Sequence, residues 1–198
     1  HLIEQVCQGA VSARDLKALP VGGVVRSWVS SAQQELVDRH APERGRYIQL
    51  AELGQSPPAM VIACCDARAD VSTIFDAEPG QLFILRNVAN LVPPYEPEGK
   101  FHGTSAAIEF AVERLKVPHL IVLGHSHCGG VAAYRQKLRD KVMGSGFIDS
   151  WLTLLDYLKI DESEIFQFGD DTAFEFAAIR SSLANLRTFP FIRECMKE

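Results

Sequence analysis

Three short apolar runs constrain the fold of this chain more than any other feature. They are Ala-Met-Val-Ile-Ala-Cys at 59–64, Leu-Phe-Ile-Leu-Arg at 82–86 and His-Leu-Ile-Val-Leu-Gly at 119–124. They are rich in β-branched residues and lack polar alternation, as strands buried on both faces do. Helical patterns lie between them. Residues 104–116 place Ala107, Ile108, Ala111, Val112 and Leu115 on one stripe and leave Glu109, Glu113 and Arg114 off it, with Pro118 as the stop. Strands alternating with helices predict βαβ units, hence an α/β fold with a central, mostly parallel β-sheet flanked by helices.

Residues 128–139, 147–159 and 172–186 are further helix candidates. Residues 31–53 read as an N-terminal helical arm interrupted near Pro42, and Pro20-Val21-Gly22-Gly23 as a turn. The Pro-rich stretch 91–99 reads as a loop, and the acidic stretch 161–171 as exposed. The length of 198 residues suits one large domain. The expected division is a segment of unassigned role at 1–30 and one domain over 31–198.

Charge and cysteine usage narrow the class. A net charge of −5 argues against nucleic acid and anionic membrane as partners. No apolar run approaches the roughly 20 residues that span a bilayer. His1 opens the chain with no basic start followed by an apolar stretch, so no signal peptide is expected. The five cysteines (7, 64, 65, 128 and 195) are odd in number and irregular in spacing, a poor disulfide framework. Adjacent cysteines have Cα atoms about 3.8 Å apart, too close for the usual bridge at about 4.4–6.8 Å. Thiolate ligands in a reducing cytoplasm are the expectation. Cys7, Cys65 and Cys195 read as small core residues.

Two motifs carry chemistry. Cys64-Cys65-Asp66-Ala67-Arg68 follows the first run, and His125-Ser126-His127-Cys128 follows the third. Side chains alternate along an extended segment, so Cys64, Asp66 and Arg68 are expected on one side and Cys65 and Ala67 on the other. His125 and Cys128 lie three apart across a turn into a helix and can bind one ion; His127 is expected to point elsewhere. In parallel α/β sheets ligands collect beyond the carboxyl ends of strands, where both motifs fall. Two thiols and an imidazole make a tetrahedral zinc set with one open position, the mark of a catalytic site. Two thiolates cancel the charge of Zn²⁺, and the helix start after Cys128 should favour its thiolate. Asp66 can steer what fills the open position, and Arg68 can hold Asp66 ionised. The bland alternatives are a closed structural zinc with Asp66 as fourth ligand, an Asp66–Arg68 pair that is only a surface salt bridge, and thiols that merely pack.

At these residues the chain resembles a β-class carbonic anhydrase, a family with Cys-x-Asp-x-Arg after its first strand and His-x-x-Cys after its third. The likeness extends to Gly54-Gln55-Ser56-Pro57, Pro79-Gly80-Gln81-Leu82-Phe83, Arg86-Asn87-Val88-Ala89-Asn90, the run from His102 to Phe110, Cys128-Gly129-Gly130-Val131, and the run from Ser182 to Phe191. The resemblance implies a zinc lyase that reversibly hydrates CO₂ to bicarbonate and a proton. Cys64, His125 and Cys128 would be its Zn²⁺ ligands, and Asp66 and Arg68 the dyad that orients the hydroxide. It implies that Gln55, Phe83, Val88 and Phe110 line the substrate pocket, with Gln55 reaching across a dimer interface. It also implies a homodimer or dimer of dimers clasped by N-terminal helices. The rival readings are a hydrolase of COS or CS₂ on the same scaffold and a non-catalytic zinc- or bicarbonate-binding domain.

Three departures from the family pattern stand out. Ala67 occupies a usual serine position, and Val71 replaces a common proline, which predicts a less rigid loop. The family continues past Phe189-Pro190-Phe191 into a further strand, which is expected to be missing here.

Overall fold

Strand β1, Ala59–Cys64, is buried at all six positions, as a run without polar alternation requires when both faces are covered. Parallel neighbours flank it, β2 (Leu82–Asn87) on one side and β3 (His119–Leu123) on the other, in the order β2-β1-β3. In register, Ala59 faces Leu82 and His119, and Cys64 faces Asn87. All three strands were legible from the sequence. The two flanking ones are only half-buried, with His119 and Ile84 exposed. The expectation of burial on both faces fails for them because each has an unpaired edge among the described residues.

The computed structural model describes residues 44–98, 102–140, 144–160, 163 and 169–197. The expectations for the segment 1–30, the turn at Pro20, the arm up to residue 43 and Cys7 lie outside the described residues. The chain divides into two units, 1–54 and 55–198. Helix α1, Arg44–Leu53, is the described part of the first.

In the second unit the elements run β1, α2 (Val71–Ile74), β2, a short 3-10 turn (Val88–Asn90), α3 (Gly103–Glu109), β3, α4 (Gly129–Asp140), α5 (Phe147–Leu152), α6 (Asp170–Leu186) and α7 (Pro190–Cys195). Alternation along β1 splits the core. Met60 and Ile62 pack with Ile108, Ala111, Val112, Leu186, Phe189 and Ile192, while Val61 and Ala63 pack with Val71. A third cluster at the carboxyl end of β1 joins Cys64 and Cys128 to Ala89, Leu91, Val131 and Tyr134.

Two helices depart from their expected form. The helix expected over 104–116 keeps its apolar stripe but is wound as a π-helix from Phe110 to Arg114, closed by the Leu115 N–H bonding the Phe110 carbonyl at 3.0 Å. That wider turn leaves Phe110 45% exposed and stacks its ring on Phe83, 5.9 Å between centroids. The helix expected over 147–159 tightens to a 3-10 turn at Thr153–Leu155. There the Thr153 hydroxyl donates to the Ser150 carbonyl at 2.7 Å, competing with the helical ladder.

The loop after β2 is tied from both ends. Asn87 bonds both backbone groups of Leu91, Oδ1 accepting at 2.9 Å and Nδ2 donating at 2.8 Å. From α6, the Ser182 hydroxyl donates to the Asn90 carbonyl and Asn185 donates to that of Val92. Val71 opens α2 fully packed, and the Asp70 side chain caps that helix through the Thr73 N–H at 2.8 Å. The Asp70 side chain thus caps the helix that opens with the valine standing at the usual proline position.

Candidate metal centre

β1 ends at Cys64, and β3 ends one residue before Gly124, so the parallel register delivers both motifs to one edge of the sheet. The chain then turns. His127 takes a left-handed φ of 53°, which brings Cys128 back to the start of α4. The Cys64 and Cys128 sulfurs lie 3.9 Å apart, and His125 completes a group whose ligand atoms all fall within 4.8 Å of one another.

These three donors fit zinc. Two sulfurs each about 2.3 Å from a shared tetrahedral ion sit about 3.8 Å apart. The His125 Nδ1 faces the Ser126 carbonyl at 3.0 Å, and its Nε2 is buried with no hydrogen-bond partner. An Nδ1–H donated to that carbonyl leaves the Nε2 lone pair free for an ion, the usual arrangement of a ligating imidazole. Burial pushes the Cys128 thiol up, opposed by the Val131 and Gly130 N–H groups and assisted by the neighbouring Cys64 sulfur. The helix start favours the thiolate, as expected, but does not outweigh burial.

Beside the donors stands a carboxylate. Asp66 Oδ2 is 3.9 Å from His125 Nε2. Arg68 grips it with two parallel bonds, Nε to Oδ1 at 2.9 Å and Nη2 to Oδ2 at 2.8 Å, and its backbone N–H adds a third at 3.0 Å. The Arg68 side-chain bonds hold the Asp66 carboxyl well below the usual range, helped by the backbone bond. The same bonds raise the Arg68 guanidinium. Nη2 also donates to the His127 carbonyl at 2.9 Å, linking the two motifs.

The expected sidedness holds: Asp66 meets His125, while Cys65 is exposed. Cys65 and Cys195 are therefore not core residues. The strand ends at Cys64, so the next side chain leaves the sheet and is exposed, and Cys195 lies in the exposed last turn of α7. His127 is exposed and outside the donor group. Phe83 and Phe110 meet, and Val88 borders a cavity of about 580 Å³ with Asn87, His102, Thr104 and Trp151. Gln55 stands exposed ahead of β1, outside the donor group.

Three residues around the site escaped the sequence reading. Arg86 donates to the Cys64 carbonyl at 2.9 Å and to the Asp66 carbonyl at 2.7 Å, fixing the first motif's backbone. Trp151 donates to the Val88 carbonyl at 2.9 Å. Glu175, buried in α6, accepts the Cys128 N–H at 3.0 Å. The one available signal was Glu175 itself, an acid on the apolar stripe of a helix beside Ala177 and Ala178.

A family model described as carbonic anhydrase matches residues 59–198. The chain is 37% identical over 156 residues to beta carbonic anhydrase 5, chloroplastic, of Arabidopsis thaliana, a match covering 77% of this chain and 50% of that protein. The chain thus spans about half the length of that curated relative. Among solved structures, it is 30% identical to one of two tetrameric β-carbonic anhydrases from Sordaria macrospora, with a TM-score of 0.66 over 85% of this chain and 83% of the other. It is 29% identical to the β-carbonic anhydrase CafA of Aspergillus fumigatus, with a TM-score of 0.67 over 85% and 78% of the two chains.

Proposed function

The chain belongs to the β-carbonic anhydrase family, and from that premise we propose that it is a zinc enzyme hydrating CO₂ reversibly to bicarbonate and a proton. One observation carries the reading: two sulfurs 3.9 Å apart and an orphaned imidazole nitrogen, with a carboxylate oxygen 3.9 Å from that nitrogen. Cys64, His125 and Cys128 hold the ion. Zinc bound there supplies the Lewis acidity that brings a water's loss of a proton toward neutral pH.

The remaining work falls to the chain. Arg68 keeps Asp66 ionised and immobile. Asp66 Oδ2 accepts a hydrogen bond from the attacking water and so aims an oxygen lone pair at CO₂. Because Arg68 engages both Asp66 oxygens, the reading favours an open fourth position over one that Asp66 fills. Phe83, Val88 and Phe110 form an apolar wall suited to a substrate that carries no charge, and the proton leaves to buffer.

In this reading the zinc domain is 31–198, and it works as a homodimer or dimer of dimers in which the partner contributes Gln55. The tetrameric Sordaria relative supports an assembly of this kind. No helix among the described residues is long and apolar enough to cross a membrane. Thiolate ligands favour a reducing compartment; the reading places this chain in the cytoplasm, whereas its Arabidopsis relative is named chloroplastic.

Stopped-flow CO₂ hydration by zinc-loaded protein tests the proposal. A zinc-dependent rate is expected. Its absence at alkaline pH defeats the proposal, and hydrogen sulfide release from COS without CO₂ turnover would move the activity to the sulfur analogue.

A further inference from the structure

Cys128 does two jobs at one position. Its carbonyl accepts the Ala132 N–H at 2.9 Å, so it is the N-cap of α4. Its sulfur takes the N-cap side-chain role toward the Val131 and Gly130 N–H groups. Its own N–H remains to be satisfied. In a capping box a Glu or Gln three residues on reaches back to that group. Here the third position is Val131, which has no acceptor.

Glu175 supplies the missing acceptor from another helix. It is 8% exposed on α6, and Oε1 accepts the Cys128 N–H at 3.0 Å. Arg135 of α4 holds the two helices together: it pairs with Asp170 and Asp171 and lies 5.0 Å from the Phe174 ring centroid, all on α6. Fixing the Cys128 amide fixes its Cα–Cβ direction and hence where the sulfur lies. A metal site tolerates only about 0.2 Å of error in such a distance.

We propose that Glu175 is a positioning residue of the metal centre, holding the Cys128 backbone so that its sulfur converges with Cys64 and His125. The inference rests on the metal reading above. It is tested by zinc affinity in competition with a chromophoric chelator, by the sulfur-to-metal charge-transfer band of the Co²⁺-loaded protein, and by the melting temperature of the metal-free protein.

Glu175→Met removes the acceptor at similar size. It should weaken zinc binding by about ten- to a hundredfold and weaken the Co²⁺ band. Glu175→Gln keeps an acceptor oxygen and should restore both to near wild type. Glu175→Asp, one methylene short, keeps the charge and tests reach if the Met variant does not fold; it should bind zinc more weakly than Gln. Unchanged affinity and spectrum in the Met or Asp variant overturn the proposal. So does a Gln variant as impaired as Met, or a loss of metal-free stability with no change in affinity. Wild-type protein that takes up no metal overturns the metal reading along with it, a result distinct from a wild type that binds beside variants that bind equally well.

Discussion

Arg68 holds both carboxylate oxygens of Asp66 at 2.8–2.9 Å, and the same Arg68 Nη2 reaches across to the His127 carbonyl at 2.9 Å. One guanidinium therefore orients the acid and ties together two segments 59 residues apart in sequence. The orientation of the acid and the convergence of the metal donors are thus coupled.

Asp66→Asn should keep zinc and lose CO₂ hydration by about a hundredfold or more, because the amide cannot serve as the same ionised acceptor. Arg68→Ala should lose activity too, since Asp66 is then free to rotate. Zinc content and stopped-flow rates measured on the same preparations check both. An Asn variant with full activity removes Asp66 from the mechanism.

Zinc should raise the melting temperature of the metal-free protein by roughly 8–16 °C at a thousandfold excess over its dissociation constant. Cys64→Ser and Cys128→Ser should abolish that rise, since a hydroxyl is a poor substitute for a thiolate. A melting curve with and without zinc decides it, and an unaltered rise in either variant excludes that sulfur from the site.

Gly130→Ala should destabilise by about 1–3 kcal/mol. A Cβ there would stand 2.9 Å from both Ala89 Cβ and Val88 Cγ1, and Ala89 sits in a left-handed turn with φ 63° that cannot easily yield. Gly124→Ala should cost less, because it meets the movable Ile179 side chain. Denaturant titration ranks the two; equal losses would show that the Val88–Asn90 turn gives way.

Asp70 caps α2 through Thr73, and that bond lowers its carboxyl below the ordinary value, with Arg86 adding to the effect. A lowered folded value means that its stabilisation is complete above the unfolded value of about 3.9 and fades as pH falls through the folded one. Thermal melts of wild type and Asp70→Ala should differ by a constant amount above pH ~5 and converge at lower pH. A gap that widens on acidification would contradict this assignment.

Burial, with Asp156 adding to it, pushes the Tyr134 phenol up to about 12. Between about 10 and this value the unfolded chain binds fewer protons than the folded one, so stability falls as pH rises. Tyr134→Phe should flatten that alkaline decline, and the wild type should lack one tyrosinate absorbance step near pH 10 that the variant also lacks. Ionisation of Tyr134 near 10 would refute the burial argument.

The strands, their parallel arrangement and the donor motifs at their ends were readable along the chain, because hydrophobic period and motif spacing are local properties. β1 needed nothing more than its six apolar residues to be recognised as a buried strand, whereas its central place between β2 and β3 came only from the fold. The winding of Phe110–Arg114 was not readable: a π-turn keeps the same apolar stripe, and what distinguishes it is the backbone bond from the Leu115 N–H to the Phe110 carbonyl. Exposure of Cys65 and Cys195 was missed for a related reason, since burial depends on what covers a side chain.

Cys64, His125 and Cys128 were legible as a candidate donor group from their chemistry and spacing, and the fold brings them together. Their convergence on a 3.9 Å sulfur pair, the grip of Arg68 on Asp66, and the supports from Arg86 and Glu175 emerged only once distant segments were brought together. Hydrogen bonds between residues tens of positions apart leave no periodic trace in a sequence. They follow from geometry that the packed sheet and helices impose.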